Sequence, residues 1–441
     1  MFKIAIVTIL NLLLLPFESQ AEVFVRCSQY FAEKEAELPD GFINIYDVSR
    51  SQQQHQETLP LYTTPAPPKP PSGNPYISIA HNRIENSKEW MADYLAGNRE
   101  ASEAIREITL KGRRSVRNNK VHEKTLETFR EIHNLTRAQI HSLSARQLIE
   151  IFTLHANYNL LMPTRFTHWF HGALNNSIAT WGPGHFRNFA VARKFSPQEF
   201  PNYVLRNLNR RILSEFNNWK TETKMIVLTS ELIHRNFWTV RDIKFLLEST
   251  ADSMVSARKT FKIQSNKELL RALIYLRSQN PGIFSFEIVR IEGLIEGQLN
   301  SMGWSLSDGG TSGALNAQHR LPPLFRKLEN EIDKEFPNQT KKIEHFDANK
   351  QGFFDPVDLY YPGLRLVVEW DGSIHYFRTF KEDGTIDYSV FVLRPWDVIK
   401  DSSLKKLGIS VFRVSEEINL LIGLVPVKDL IRDQNPNTWD Y

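Results

Sequence analysis

Between residues 87 and 303, apolar side chains recur at i, i+3, i+4 and i+7, the period that puts them on one stripe of a helix. The helices this predicts sort into two kinds. One kind reads "ARQLIEIFTL" (145–154), "GHFRNFAVARKF" (184–195), "TETKMIVLTSELI" (221–233) and "NKELLRALIYL" (266–276). The other falls between them: "MPTRFTHWFHGAL" (162–174), "SPQEFPNYVLRNL" (196–208), "VRDIKFLLESTA" (240–251) and "FSFEIVRIEGLI" (284–295). Aligned on Leu148, Phe186, Met225 and Leu270, the first kind recurs at spacings of 38, 39 and 45 residues. Paired helices at such a period predict an α-solenoid-like repeat, because each pair buries its stripe only against its neighbours. "MPTRF" and "SPQEF" share a proline with phenylalanine three residues on, which favours a repeat over the alternative, an irregular helical bundle.

The pattern changes at "SLSDGGTSGA" (305–314), whose glycines and serines mark a boundary. Beyond it, "LFRKLENEIDKEF" (324–336) is an amphipathic helix, with Phe325, Leu328, Ile332 and Phe336 on one stripe. Then "DPVDLYYPGLRLVVEWDG" (355–372) reads as two strands turning at Pro362-Gly363, where proline then glycine fit a type II turn. A helix over 396–407 and the strand "GISVFRVS" (408–415) follow, and strand, helix, strand in this order predicts a crossover that completes a small mixed sheet. The fold class expected is therefore multidomain, a helical repeat followed by a small α/β domain.

The start of the chain predicts export. Lys3 precedes an apolar run over 4–15, then Pro16, with the small residues Ser19 and Ala21 placed for cleavage after Ala21. That run is too short to span a bilayer comfortably, and no later stretch is long and apolar enough, so stable membrane insertion of the mature chain is not expected. The expected divisions are a signal peptide (1–21), an irregular segment and proline-rich linker (22–75), the helical domain (76–303), the α/β domain (321–425) and a tail (426–441). The linker stretch contains "PAPPKPPSGNP", which stays extended because proline fixes φ and removes donors.

Composition narrows the chemistry. Hydrophobic residues are 41% of 441, as in a folded soluble protein, and the length calls for more than one domain. Cys27 is the single cysteine, which excludes a disulfide framework and a cysteine-rich zinc module. A net charge of +4 is too small to identify a nucleic-acid binder, so local clusters must decide. "KGRRSVRNNK" (111–120) gathers Arg113, Arg114 and Arg117 with two lysines, and "VLRNLNRR" (204–211) gathers Arg206, Arg210 and Arg211. Guanidinium groups bond phosphate bidentately, so both clusters are expected to bind nucleic acid, although a solvated charged face is the alternative. His168 and His171 in "HWFH" have no acidic neighbour in sequence and read as surface or packing histidines rather than metal ligands.

In "VVEWDGSIHYF" (367–377) carboxylates stand inside an apolar strand. With a two-residue turn, Tyr361 opposes Leu364 and Asp358 opposes Val367. Same-face positions then recur every second residue, so Asp358, Glu369 and Asp371 converge on one face, Asp358 diagonal to Glu369. Carboxylates so gathered repel unless a divalent cation or basic groups balance them. A salt-bridged structural role, with Glu369 facing Lys400, is the plain alternative.

This string, with the basic helix and "LGISVFRVSEEI" (407–418) after it, resembles the RAP domain, a module with the PD-(D/E)xK endonuclease fold; the resemblance covers about residues 324–420. RAP modules commonly follow degenerate helical repeats that bind RNA. The resemblance implies Asp358 and Glu369 as carboxylates for Mg2+ or Mn2+, Asp371 where many members carry a catalytic lysine, His375 as the histidine shared after the glycine, and Glu329 as a supporting acid. Lys400 would supply the missing charge from the next helix. Three functions are expected on this basis: an exported RNA-binding protein holding single-stranded RNA along a concave face, a metal-dependent endonuclease using Asp358 and Glu369, or a protein-binding solenoid with a degenerate nuclease fold. Export implies a periplasmic or secreted protein, and a host-directed effector would reconcile secretion with RNA. Oligomeric state is left open.

Overall fold

The computed structural model describes residues 90–303 (except 118–120, 122, 235–237, 258–259 and 281), residues 329–345 (except 331, 335–336, 339 and 341) and residues 357–415. The expected signal peptide, the linker, the boundary at 304–320 and the tail lie outside them.

Twelve helices make the first part: α1 (Trp90–Leu95), α2 (Arg99–Arg117), α3 (Glu123–His133), α4 (Arg137–Ser142), α5 (Ala145–Asn157), α6 (Thr164–Ser177), α7 (Pro183–Arg193), α8 (Asn202–Glu215), α9 (Thr221–Ile233), α10 (Val240–Ser256), α11 (Ile263–Gln279) and α12 (Ser285–Ser301). Several starts are set by local chemistry. Thr136 with Gln139, Ser144 with Gln147 and Thr239 with Asp242 form reciprocal capping boxes that satisfy free N–H groups at α4, α5 and α10. Pro163 and Pro201 precede α6 and α8, and each of these helices ends in a 3-10 turn closed by a tryptophan, Trp181 or Trp219.

These helices lie in two rows. In the inner row α2 packs on α5, α5 on α7, α7 on α9 and α9 on α11. In the outer row α4 packs on α6 and α6 on α8, the 3-10 turn after α8 touches α10, and α10 packs on α12. The first kind of helix seen in the sequence supplies α5, α7, α9 and α11, and the second supplies α6, α8, α10 and α12. Helix α9 is buried on every side from Thr223 to Ile233, and the one carboxylate in that stretch, Glu231, is held by Arg193 of α7 at 2.5 Å. A buried charge keeps its place only when paired in this way.

The second part is a four-stranded mixed sheet in the order β1-β2-β3-β6, formed by β1 (Lys342–His345), β2 (Val357–Tyr361), β3 (Leu366–Asp371) and β6 (Ser410–Ser415). Neighbours β1 and β2, and β2 and β3, are antiparallel, while β6 runs parallel to β3. Between β3 and β6 the chain forms a separate hairpin, β4 (Tyr376–Phe380) with β5 (Ile386–Leu393), and then helix α13 (Pro395–Lys406). Where described, residues 329–334 are helical, as the apolar spacing predicts.

The two parts share one core. Ile386, Trp396 and Ile399 belong to the same buried apolar cluster as the helical rows, and α13 is seated on α9 and α11. Phe380 of the hairpin packs against Phe129 and His133 of α3. Asn159 accepts from the backbone of Arg378 through its carbonyl and donates its side-chain N–H to the Ile374 carbonyl.

Candidate functional site: a charge-compensated acidic cluster

The β2–β3 connection differs from the expected two-residue turn. Four residues, Pro362 to Arg365, make the reversal, with Arg365 in the left-handed region at φ 49°. The pairing is Leu359 with Val368, Tyr360 with Val367 and Tyr361 with Leu366. Continued by one residue, this register sets Asp358 directly opposite Glu369 rather than diagonal to it. The difference is two residues, and because side chains alternate with period two the expected face survives.

Around this pair the structure supplies cations from two other elements. Lys400, midway along α13, places Nζ 2.8 Å from Glu369 Oε1, both side chains being buried. Lys400 and Leu404 line one side of α13, where Leu404 packs with Val367 of β3. Asp358 accepts the backbone N–H of Trp370 through Oδ2 at 2.6 Å. Desolvation raises the Asp358 carboxyl, and it raises Glu369 to about 7 despite the opposing pull of Lys400. Burial thus outweighs the ion pair here, as it does for many buried pairs.

Beside this trio lies a second network, centred on Arg413. The parallel β3–β6 register places Arg413 next to Glu369. Its guanidinium holds Asp401 through Nε and Nη2 at 2.8 and 2.7 Å, and Asp371 through Nη1 at 2.7 Å. Asp371 also accepts from the Tyr376 hydroxyl at 2.7 Å. His375 sits 3.2 Å from Asp397 and 3.5 Å from Asp371 through Nδ1, with Arg394 donating to the other Asp397 oxygen at 2.8 Å. The same Nδ1 lies 3.0 Å from Arg394 Nη2, which only donates, so it stands between an acceptor and a donor. Burial alone would raise Asp397, but the His375 hydrogen bond and the charges of Arg394, His375 and Arg413 hold it far below the usual carboxylate range.

Of the residues singled out in the sequence, Asp358, Glu369 and Lys400 come together, and Asp371 and His375 join the adjoining network. Glu329 does not join them. It lies near enough to the Tyr361 hydroxyl to help raise it, and Tyr361 points away from Asp358 on β2. Arg113, Arg114 and Arg117 lie in the last turns of α2, their side chains outside the described set; Arg206 and Arg210 are exposed on α8, and Arg211 turns to Glu215 at 2.7 Å. His168 is exposed and His171 is buried against Phe200.

The residues missed are Arg394, Asp397, Asp401 and Arg413. The sequence did hold a signal: Asp397 and Asp401 are four apart beside Lys400, and Arg413 interrupts an apolar strand. Their pairing across α13 and β6 was not visible without the sheet.

A divalent ion would draw on Asp358 and Glu369, whose oxygens already take Trp370 N–H and Lys400. Among the described residues no three His, Cys, Asp or Glu side chains are arranged to hold a metal ion. The groups present therefore do not make a protein-built cage. A cavity of about 940 Å³ lies elsewhere, between α2, α5 and α7, where Arg106, Arg146 and His185 are among its lining residues. No helix among the described residues is long and apolar enough to cross a membrane. No protein-family model matches the chain, and no curated protein is significantly similar to it.

Proposed function

We propose that the protein is an exported RNA-binding protein, an α-solenoid-like helical array joined to a RAP-type domain of endonuclease-like fold. Two features support this architecture. The helices alternate between an inner and an outer row, the stacking a solenoid needs. With the β4–β5 hairpin inserted after β3, the order helix, three sheet strands, helix, strand, with only β2 antiparallel to its sheet mates, suits the endonuclease-like reading.

One observation carries the choice of binding over cleavage. Three carboxylates of the site engage the chain's own cations, Glu369 with Lys400, and Asp371 and Asp401 with Arg413. These internal pairings occupy Glu369, Asp371 and Asp401 and leave the cluster less suited to gathering a metal ion. Metal-dependent endonuclease activity is the second reading, favoured by the meeting of Asp358, Glu369 and Lys400 in one place.

The mature chain should bind single-stranded RNA with an affinity that falls steeply as salt rises, the mark of phosphate contacts. Filter binding across a salt series measures this; a tight, salt-insensitive protein partner with no RNA affinity would favour the protein-binding reading instead. Incubation of labelled RNA with magnesium or manganese should leave it intact. Cleavage that disappears in Glu369→Ala would replace binding with catalysis as the function.

A further inference from the structure

The RNA-binding reading leaves open which face of the helices meets the strand. A concave face would be the expectation, but helix α13 is seated on α9 and α11 in the inner row. The outer row is uneven in charge. Its first three helices, α4, α6 and α8, carry Arg137, Arg165, Arg206, Arg210 and Arg211 against the single carboxylate Glu215, which Arg211 already engages. The next two lean acidic: α10 carries Asp242, Glu248 and Asp252 against Arg241 and Lys244, and α12 carries Glu287, Glu292 and Glu296 against Arg290.

The basic end also carries planar groups. Tyr203, Arg206 and Arg210 stand at i, i+3 and i+7 on α8, one exposed stripe, with the Tyr203 side of it 47% exposed. On α6 the Arg165 guanidinium lies over the Trp169 indole at 4.8 Å, which presents a flat cation outward. Asn207 donates to Asn175 at 2.8 Å and ties the two helices together. Cations interleaved with flat rings suit single-stranded nucleic acid, whose bases stack while its phosphates seek guanidinium. Tyr, Trp and Arg also anchor protein partners, so it is the one-sided positive charge of this patch that points to phosphate.

We infer that the outer face of α4, α6 and α8 is the surface that single-stranded RNA contacts, with bases on Tyr203 and the Arg165–Trp169 platform and phosphates on Arg206 and Arg210. This rests on the RNA-binding reading and adds to it a place and a mode. Towards α10 the exposed surface loses this positive excess, with Asp242 and Glu248 set against Arg241 and Lys244.

Fluorescence anisotropy of the full mature chain with labelled oligouridylate, at two or more salt concentrations, tests it. Tyr203→Ala should weaken binding about tenfold, within the range set by loss of one stacked base, while Tyr203→Phe retains affinity. Arg206→Ala with Arg210→Ala should lower affinity and flatten the salt slope by about 0.7 for each phosphate left without its arginine. Arg241→Ala on α10, an exposed arginine at the acidic end, should bind as the unsubstituted chain does. If the α8 variants bind with unchanged affinity and slope, the surface is wrong while RNA binding stands. Weaker binding in the arginine pair but not in Tyr203→Ala overturns the stacking mode. An unsubstituted chain that binds no RNA at low salt overturns both the surface and the reading beneath it.

Discussion

His133 and His155 face each other inside a cage of Phe129, Phe166 and Phe380, their Nε2 atoms 2.9 Å apart. The bond network assigns their protons. His155 Nδ1 lies 2.9 Å from the Ile151 carbonyl, which only accepts, so Nδ1 carries hydrogen and Nε2 is bare. His133 must then donate from Nε2. Burial pushes both histidines down, His155 to about 4, and it does the same to His171, to about 4, and His234, to about 3. Below pH 6.5 the unfolded chain binds protons that the folded chain refuses, so stability falls as pH drops from about 6.5 towards 4. Each such histidine contributes a slope of up to about 1.4 kcal/mol per pH unit in that window. Urea unfolding at pH 7 and pH 5 should show the loss, and a His133→Leu, His155→Leu double variant should show a shallower one. An identical slope in the double variant would mean that the pair does not titrate differently on folding.

At the scale of elements, the fit between α2 and α5 turns on Gly112. A Cβ there would meet the Asn157 carbonyl oxygen and Tyr158 Cδ2, each at 2.8 Å. Two effects oppose each other in Gly112→Ala. Alanine favours the helix by about 1 kcal/mol, while overpacking costs roughly 1–3 kcal/mol. The nearest atom is a backbone carbonyl that cannot swing aside, so overpacking wins, and the net loss is about 1 kcal/mol, larger for valine. Denaturant midpoints measure it, and a stabilised alanine variant would show that the helices separate freely. Element type was readable throughout these rows, because burial of one stripe imposes the helical period. Strand register was not: the turn Pro362–Arg365 uses an arginine at positive φ, a place that sequence rules reserve for glycine or asparagine.

Across the whole molecule, the helical rows and the sheet domain are joined by one apolar core. Trp396 of α13 is buried beneath Arg271 of α11, whose guanidinium sits 4.4 Å from the ring centre, and Ile386 and Ile399 complete the junction. Trp396→Ala should cost about 3–5 kcal/mol, the usual loss for a large buried ring. Heating should give a single transition, with calorimetric and van't Hoff enthalpies in agreement for the helical and α/β parts together. Two separate transitions would mean that the sheet folds independently of the rows on which it rests.

The sequence by itself determined the helical character of residues 87–303, strands β2, β3 and β6, and the face on which Asp358, Glu369 and Asp371 gather. These follow from periodicity, which acts over a few residues and leaves its trace in the spacing of apolar side chains. The sequence offered Lys400 for Glu369 only as one alternative and gave no sign of Arg413 for Asp371; the tertiary structure brings both pairs together. Lys400 meets Glu369 across some thirty residues of chain, and Arg413 meets Asp371 across more. The strand–helix–strand crossover was legible, but the seat of α13 across the sheet and the exact register of β6 are not encoded in any local pattern. The same holds for the seat of α13 on α9 and α11: a helix stripe shows that something will cover it, but the geometry of the whole chain selects what does.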